Sequence, residues 1–190
     1  MEKKHGPWTV KETALKFQNE FIEVKEDTVI QPDGEPGRYA TVKMKRGVSV
    51  LPLDKEGFVY LTRQFRYAVG RESIECVSGG VDDEEQFIEG AMREALEEAG
   101  IRAAEWIDLG AIDIDTSIVN CPAGQFLARG LEFTKASREG TEQMETIKVS
   151  LHAAVEMVLD GRITHGPSCV LILKASEYLR GKETNWQHRS

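Results

Sequence analysis

The stretch "GGVDDEEQFIEGAMREALEEAGI", from Gly79 to Ile101, constrains this chain more than any other: it crowds eight carboxylates and a single cation, Arg93, into twenty-three residues. A solvated helical face is one reading, and a site built to hold metal ions is the other. Phe87, Ile88, Ala91, Met92, Ala95, Leu96 and Ala99 fall on one half of a helical wheel, a broad apolar face for a core. Asp82 or Asp83 is expected to cap this helix, with Glu85 or Gln86 three residues on to complete a capping box, and Gly100 to end it. On the other half, Glu94, Glu97 and Glu98 stand at i, i+3 and i+4 and project from one patch. Like charges at that spacing destabilise a helix by a few tenths of a kcal/mol per pair. A hard divalent cation such as Mg²⁺ reverses the sign of the interaction, because it favours carboxylate oxygens.

Elsewhere the pattern is strands early and helices late. From Trp8 to about Met44, strand-like stretches including "FIEVKEDTVI" and "RYATVKM" flank the turn-rich "QPDGEPG" and read as a small antiparallel unit. "GVSVLPL" and "FVYLTRQF", joined by "DKEG", read as a hairpin, and "ESIECVS" as a short strand entering Gly79 and Gly80. "EWIDLGAIDI" and "QFLARGLEF" follow as strands, whereas "REGTEQMETIKV" reads as an acidic loop. Two helices close the chain: "SLHAAVEMVLDG", capped by Ser150 and stopped at Gly161, and "PSCVLILKASEYLRG", expected to end at Gly181. The expected class is therefore α/β of the mixed, α+β kind.

Composition narrows the function classes. A hydrophobic share of 41% with 29% charged residues suits one globular core, and no apolar run is long enough to span a membrane. Basic residues near the N-terminus lack an apolar segment behind them, so no secretory signal is read and the cytoplasm is the expected location. A net charge of −8 argues against nucleic acid or an anionic membrane as partner. An anionic ligand would need a metal or placed arginines. Cys76, Cys121 and Cys169 are odd in number and scattered, as reduced core thiols are. His5, His152, His165 and His188 form no zinc or nucleophile pattern and are read as structural or exposed.

Taken as spacing, the opening stretch is Gly79, then Glu85, then Arg93-Glu94-Ala95-Leu96-Glu97-Glu98-Ala99-Gly100-Ile101. It closely resembles the signature of the Nudix hydrolases, with Ala95 standing where a larger aliphatic residue is usual. The resemblance implies the Nudix fold, a mixed β-sheet between helices, here with residues 1–45 as a small N-terminal antiparallel β subdomain for dimerisation and 46–190 as the hydrolase domain. It implies Mg²⁺ (or Mn²⁺) held by Glu94, Glu97 and Glu98, with the Ser78 carbonyl as an additional ligand and Glu98 counted among the catalytic residues. Gly79, Glu85, Arg93 and Gly100 would be structural members of the motif, Glu85 and Arg93 as a buried pair.

Beyond the motif, "LTRQFRYAVG", "IECVSGG", "QFLARGLEF" and "EQMETIKVSLHAAVEMVLDGRI" resemble the ADP-ribose pyrophosphatase branch. That resemblance implies a homodimer hydrolysing the pyrophosphate of a nucleoside diphosphate sugar, ADP-ribose to AMP and ribose 5-phosphate. A GDP-mannose or other nucleoside diphosphate pyrophosphatase is the alternative, and a non-catalytic nucleotide-binding module the third. Arg66, then Arg63, would contact the pyrophosphate, with Glu75 in the same substrate-binding region; a guanidinium suits phosphate geometry. Glu145 is expected as general base from a mobile loop, with Glu142 as the other choice. Tyr39, Phe17 or Trp8 would be aromatics for a stacked base. In place of the branch's proline-glycine pair beyond the motif this chain has Thr116-Ser117, which puts ADP-ribose itself in question without touching the chemistry.

Overall fold

A computed structural model describes residues 2–136 and 144–187, with side chains through 181. The chain forms two compact units, residues 1–46 with 113–122, and 47–112 with 123–190.

The first unit is a five-stranded sheet. Its strands are β1 (Lys3–His5), β2 (Trp8–Gln18), β3 (Ile22–Ile30), β4 (Pro36–Met44) and β10 (Val119–Asn120), in the order β1-β2-β3-β4-β10. All pair antiparallel except β10, which lies parallel to β4. Residues 113–122 thus join a unit whose other strands all come from the N-terminus, a long-range pairing that short-range periodicity does not report.

The second unit carries a seven-stranded mixed sheet. Along its main path stand β12 (Met144–Ser150), β6 (Phe58–Arg66), β5 (Arg46–Leu53), β11 (Pro122–Phe133) and β9 (Ile101–Asp113). Two short strands attach to it, β7 (Arg71–Glu75) on β6 and β8 (Val77–Val81) on β5. β5 and β11 run parallel, and alternation along them decides which helix each face meets. Leu51, Leu53 and Leu127 point to α2 (Leu151–Leu159) and α3 (Gly166–Gln187), where Ala154, Met157, Leu171 and Ile172 complete one cluster. Val48, Val50, Phe126 and Ala128 point the other way, to Ala91 and Ala95 of α1 (Phe87–Ala99). The sheet lies between helices, as expected.

Several local expectations change. The β5–β6 hairpin is paired only at Leu53 and Val59, because from Thr62 onward β6 takes β7 as its neighbour. β12 is a full strand on β6, where the sequence suggested a loop; its charged residues lie on exposed positions of the sheet. Helix α3 continues through Gly181, which a helix interior tolerates at a cost of about 1 kcal/mol. Ser150 does cap α2, accepting a hydrogen bond from the Ala153 N–H at 3.1 Å.

Candidate active site

Helix α1 begins at Phe87, later than the aspartates suggested. The residues before it form a turn, with the Glu85 N–H donating to the Asp82 carbonyl at 3.1 Å and the Asp82 N–H donating back to Glu85 Oε2 at 3.2 Å. Gln86 takes the capping position, and its N–H donates to Glu89 at 2.9 Å. Gly100 ends the helix at φ 64°, the left-handed conformation that glycine adopts without a Cβ penalty.

Burial along α1 differs from the wheel. Met92 is 44% exposed, while Glu94 and Glu98 are only 9% and 8% exposed. Carboxylates are rarely buried without compensation, and here Arg93 and the β8 backbone supply part of it. Arg93 donates to both Glu85 oxygens at 3.1 Å, to Glu94 Oε1 at 2.7 Å, to Glu97 Oε2 at 3.2 Å and to the Gly80 carbonyl at 2.7 Å. The expected Glu85–Arg93 pair therefore exists, part-buried where a buried pair was expected, and the same guanidinium also gathers the helix glutamates. It holds the Glu85 carboxyl below its ordinary range by its hydrogen bonds, and is itself pushed further toward the protonated state by them.

Beside this cluster the strand comes close. The Ser78 N–H donates to Glu98 Oε2 at 3.4 Å, and the Ser78 hydroxyl bonds Ser49 Oγ at 3.0 Å and donates to the Cys76 carbonyl at 2.9 Å. A Cβ on Gly79 would lie 2.0 Å from Glu94 Cδ, so the glycine is the space that the carboxylate fills. Among the described residues no three histidine, cysteine, aspartate or glutamate side chains converge closely enough to hold an ion as they stand. Glu94 and Glu97 are drawn to Arg93 instead. The donor set nevertheless fits a hard divalent cation: carboxylate oxygens of Glu94, Glu97 and Glu98 beside the β8 backbone at Ser78 and Gly79.

The other expected residues fall into two groups. Arg66 makes a two-pronged pair with Glu75, Nε to Oε1 at 3.0 Å and Nη2 to Oε2 at 2.6 Å. Glu75 is 2% exposed, yet its carboxyl is lowered; burial pushes it up, and the bonds from Arg66 with the nearby His165 outweigh that. Arg63 instead pairs with Glu145 at 3.2 Å on exposed positions of β6 and β12. Glu145 thus sits on a strand, opposite Arg63, and not in a loop. Glu142 and His188 lie outside the described residues. Of the aromatics, Trp8 and Tyr39 meet edge to face at 5.3 Å and line a concavity of about 730 Å³ in the first unit, while Phe17 is 52% exposed. Ser117 lines it too, accepting from the Tyr39 hydroxyl.

Periodicity missed Ser49, His165 and Ser168, single polar residues in apolar surroundings that meet partners far along the chain. His5 and His152 are exposed, and His165 is half-buried and bonded, within the expectation of structural or exposed histidines. All three cysteines are free thiols, and burial pushes Cys76 up to about 12.

A helix with two buried glutamates, locked by one arginine to a glycine-bearing strand, defines a class of enzyme. Residues 43–135 match the family described as NUDIX domain, so this stretch is the domain of the Nudix hydrolases and the enzyme a pyrophosphohydrolase. Within them it is similar to the ADP-ribose pyrophosphatase of Bacillus subtilis, 26% identical over 169 residues that cover 88% of this chain and 89% of that one. It is also 26% identical, over 166 residues, to a CMP-5'-(N-acetyl-N-hydroxy-3-aminopropyl)phosphonate hydrolase of Streptomyces rubellomurinus, covering 87% and 81% respectively. A solved structure described as an ADP compounds hydrolase shares the fold with a TM-score of 0.82 at 16% identity, covering 95% of this chain and 98% of its own.

Proposed function

We propose that this enzyme hydrolyses the pyrophosphate bond of a nucleoside diphosphate sugar, ADP-ribose first, giving AMP and ribose 5-phosphate. The observation that carries this reading is the Arg93-centred cluster, in which Glu85, Glu94 and Glu97 meet one guanidinium beside Gly79 and Gly80. Glu94, Glu97 and Glu98, with the Ser78 carbonyl, would hold Mg²⁺ (or Mn²⁺), which supplies charge neutralisation for the phosphates and a lowered pKa for water. Glu75 fixes the plane of the Arg66 guanidinium, and that side chain, 40% exposed, offers phosphate its solvent side.

The general base is proposed as Glu145, with Glu142 as the other choice. Glu145 is tied to Arg63 on a paired strand, whereas Glu142 precedes that strand in the sequence. Replacing the base by glutamine should lower kcat by about 10²- to 10⁴-fold. Glu142→Gln and Glu145→Gln, assayed side by side, assign the role to whichever variant loses it.

A second reading concerns the base. Thr116 and Ser117 stand where the branch has proline-glycine and line the concavity with Tyr39 and Trp8, so a different nucleobase could be preferred. The relative from Streptomyces rubellomurinus acts on a CMP derivative. A panel of ADP-ribose, GDP-mannose, UDP-glucose and a CMP-linked substrate, with Mg²⁺, separates these by kcat/KM. No turnover of any member refutes the proposal. We further propose a cytoplasmic homodimer formed through the first unit, which exposes Leu15, Phe17 and Met44 on its strands and Phe21 in the turn between β2 and β3; a monomer by light scattering would refute the assembly.

A further inference from the structure

The Arg66–Glu75 pair does not stand alone. His165, one residue before α3, brings its Nδ1 to 3.6 Å from Glu75 Oε2, the oxygen that Arg66 Nη2 also addresses. The same Nδ1 lies 2.8 Å from Ser168 Oγ, and Ser168 Oγ accepts the Cys76 N–H at 2.8 Å. Ser168 is fully buried and Glu75 nearly so, so each proton in this network must have a definite place.

The bookkeeping is short. A hydroxyl carries one proton. The Cys76 N–H takes one of the two Ser168 lone pairs, and the hydroxyl proton has a neutral Nδ1 within reach at 2.8 Å as its acceptor. Imidazole then accepts at Nδ1 and carries its own proton on Nε2. In that state it gives Glu75 nothing to bond, and Oε2 belongs to Arg66. A proton added to Nδ1 expels the Ser168 donor and turns the ring toward an acceptor, and the carboxylate oxygen nearest to it is Oε2.

We propose that His165 and Ser168 are positioning residues for Arg66: the neutral, Nδ1-accepting His165 leaves Glu75 to orient the guanidinium for phosphate, and protonated His165 draws that carboxylate away. The proposal rests on the reading of Arg66 as a phosphate contact. Glu75 and Arg66 are the charged groups facing the imidazole, with opposite effects on it, and burial lowers its pKa overall. Arg71 is engaged next door, donating to Thr164 Oγ1 at 2.9 Å. The neighbouring thiols of Cys76 and Cys169 are both pushed up by burial and stay neutral.

The test is steady-state kinetics of wild type, His165→Ala, His165→Asn and Ser168→Ala from about pH 8 down to about pH 5.5, on the panel substrate that wild type turns over best. With no imidazole to protonate, His165→Ala leaves Glu75 to Arg66 at every pH: its KM should match wild type at about pH 8 and stay flat where the wild-type KM rises about tenfold on acidification, with kcat changed much less. Asparagine presents an oxygen near the position of Nδ1 and cannot take up a proton. His165→Asn should therefore keep the wild-type KM at about pH 8 and lack the rise that wild type shows on acidification. A wild-type KM that stays flat down to about pH 5.5, or the same acid rise in His165→Ala or His165→Asn, overturns the positioning role and leaves the pyrophosphatase reading intact. Should wild type turn over no substrate, both readings fall together. Should the alanine variants not fold, long-range proton–nitrogen NMR of wild type decides: an unprotonated Nδ1 at about pH 8 supports the arrangement, and a protonated Nδ1 overturns it.

Discussion

Gly79→Ala isolates one geometric requirement of the site. The glycine does not have a positive φ, so alanine brings no backbone strain. Its Cβ would lie 2.0 Å from Glu94 Cδ and 2.2 and 2.3 Å from the two oxygens. Since ordinary contacts begin at 3.4 Å, the carboxylate must retreat by about 1.4 Å, the difference between 3.4 and 2.0 Å. That group is the end of a flexible side chain, so the fold gives way cheaply, and the expected loss of stability is about 1 kcal/mol. Catalysis is less forgiving: a misplacement of about 1 Å can cost about 10²-fold. The variant should lose about two orders of magnitude in kcat while its Tm falls by only about 2–4 °C, the shift that 1 kcal/mol produces at this chain length. Paired measurements of nucleotide release with Mg²⁺ and of thermal unfolding decide it. Near-normal kcat would refute the idea that the position of Glu94 matters to the chemistry, and an unfolded variant would refute the claim that only a side-chain terminus is displaced.

Other expectations follow from the same contacts. Arg93→Ala leaves the Glu85, Glu94 and Glu97 carboxylates without their shared cation; for a guanidinium one-third exposed the loss should be about 2 kcal/mol, or about 4–8 °C in Tm, and Arg93→Lys should not restore it because one ammonium cannot span those partners. Chelation of divalent metal should abolish turnover and leave Tm nearly unchanged, since Arg93 already satisfies Glu94 and Glu97; unfolding on chelation would contradict this. Burial alone would raise the Asp54 carboxyl, but bonds from Lys148, the Phe58 N–H, the Tyr60 hydroxyl and the Glu56 N–H outweigh it and bring it to about 2. A depressed folded value contributes stability above the ordinary value of 3.8 that is lost as pH falls toward about 2, so Asp54→Asn should flatten the fall of Tm between about pH 4 and about pH 2. An unchanged slope in that variant would assign the acid loss to other carboxylates.

The N-terminal and C-terminal limits of α1 show how far local sequence reaches. Gly100 was legible because a left-handed residue ends the helix and glycine suits it, a property of the chain itself. The start was not: Glu85 does accept the Asp82 N–H, but within a turn and with Arg93 on both of its oxygens, and Gln86 takes the cap. Likewise Met92 follows the apolar period and is exposed, while Glu94 and Glu98 break it and are buried. Periodicity reports which side of a helix can be buried cheaply, not what waits on the far side. β12 escaped for a related reason: a strand of exposed charged positions becomes a strand only when β6 offers its edge.

Helical pitch alone placed Glu94, Glu97 and Glu98 on one patch, and the resemblance of the motif to the Nudix signature implied the class of site and the Glu85–Arg93 pair. Tertiary structure decided what those residues touch. It set the Gly79 backbone against Glu94, gave Glu145 to Arg63, and joined Arg66 and Glu75 to His165 and Ser168, nearly a hundred residues on. The physical reason is range: helical pitch and capping act within a few residues, whereas the place of a buried charge is chosen by whichever distant partner can satisfy it.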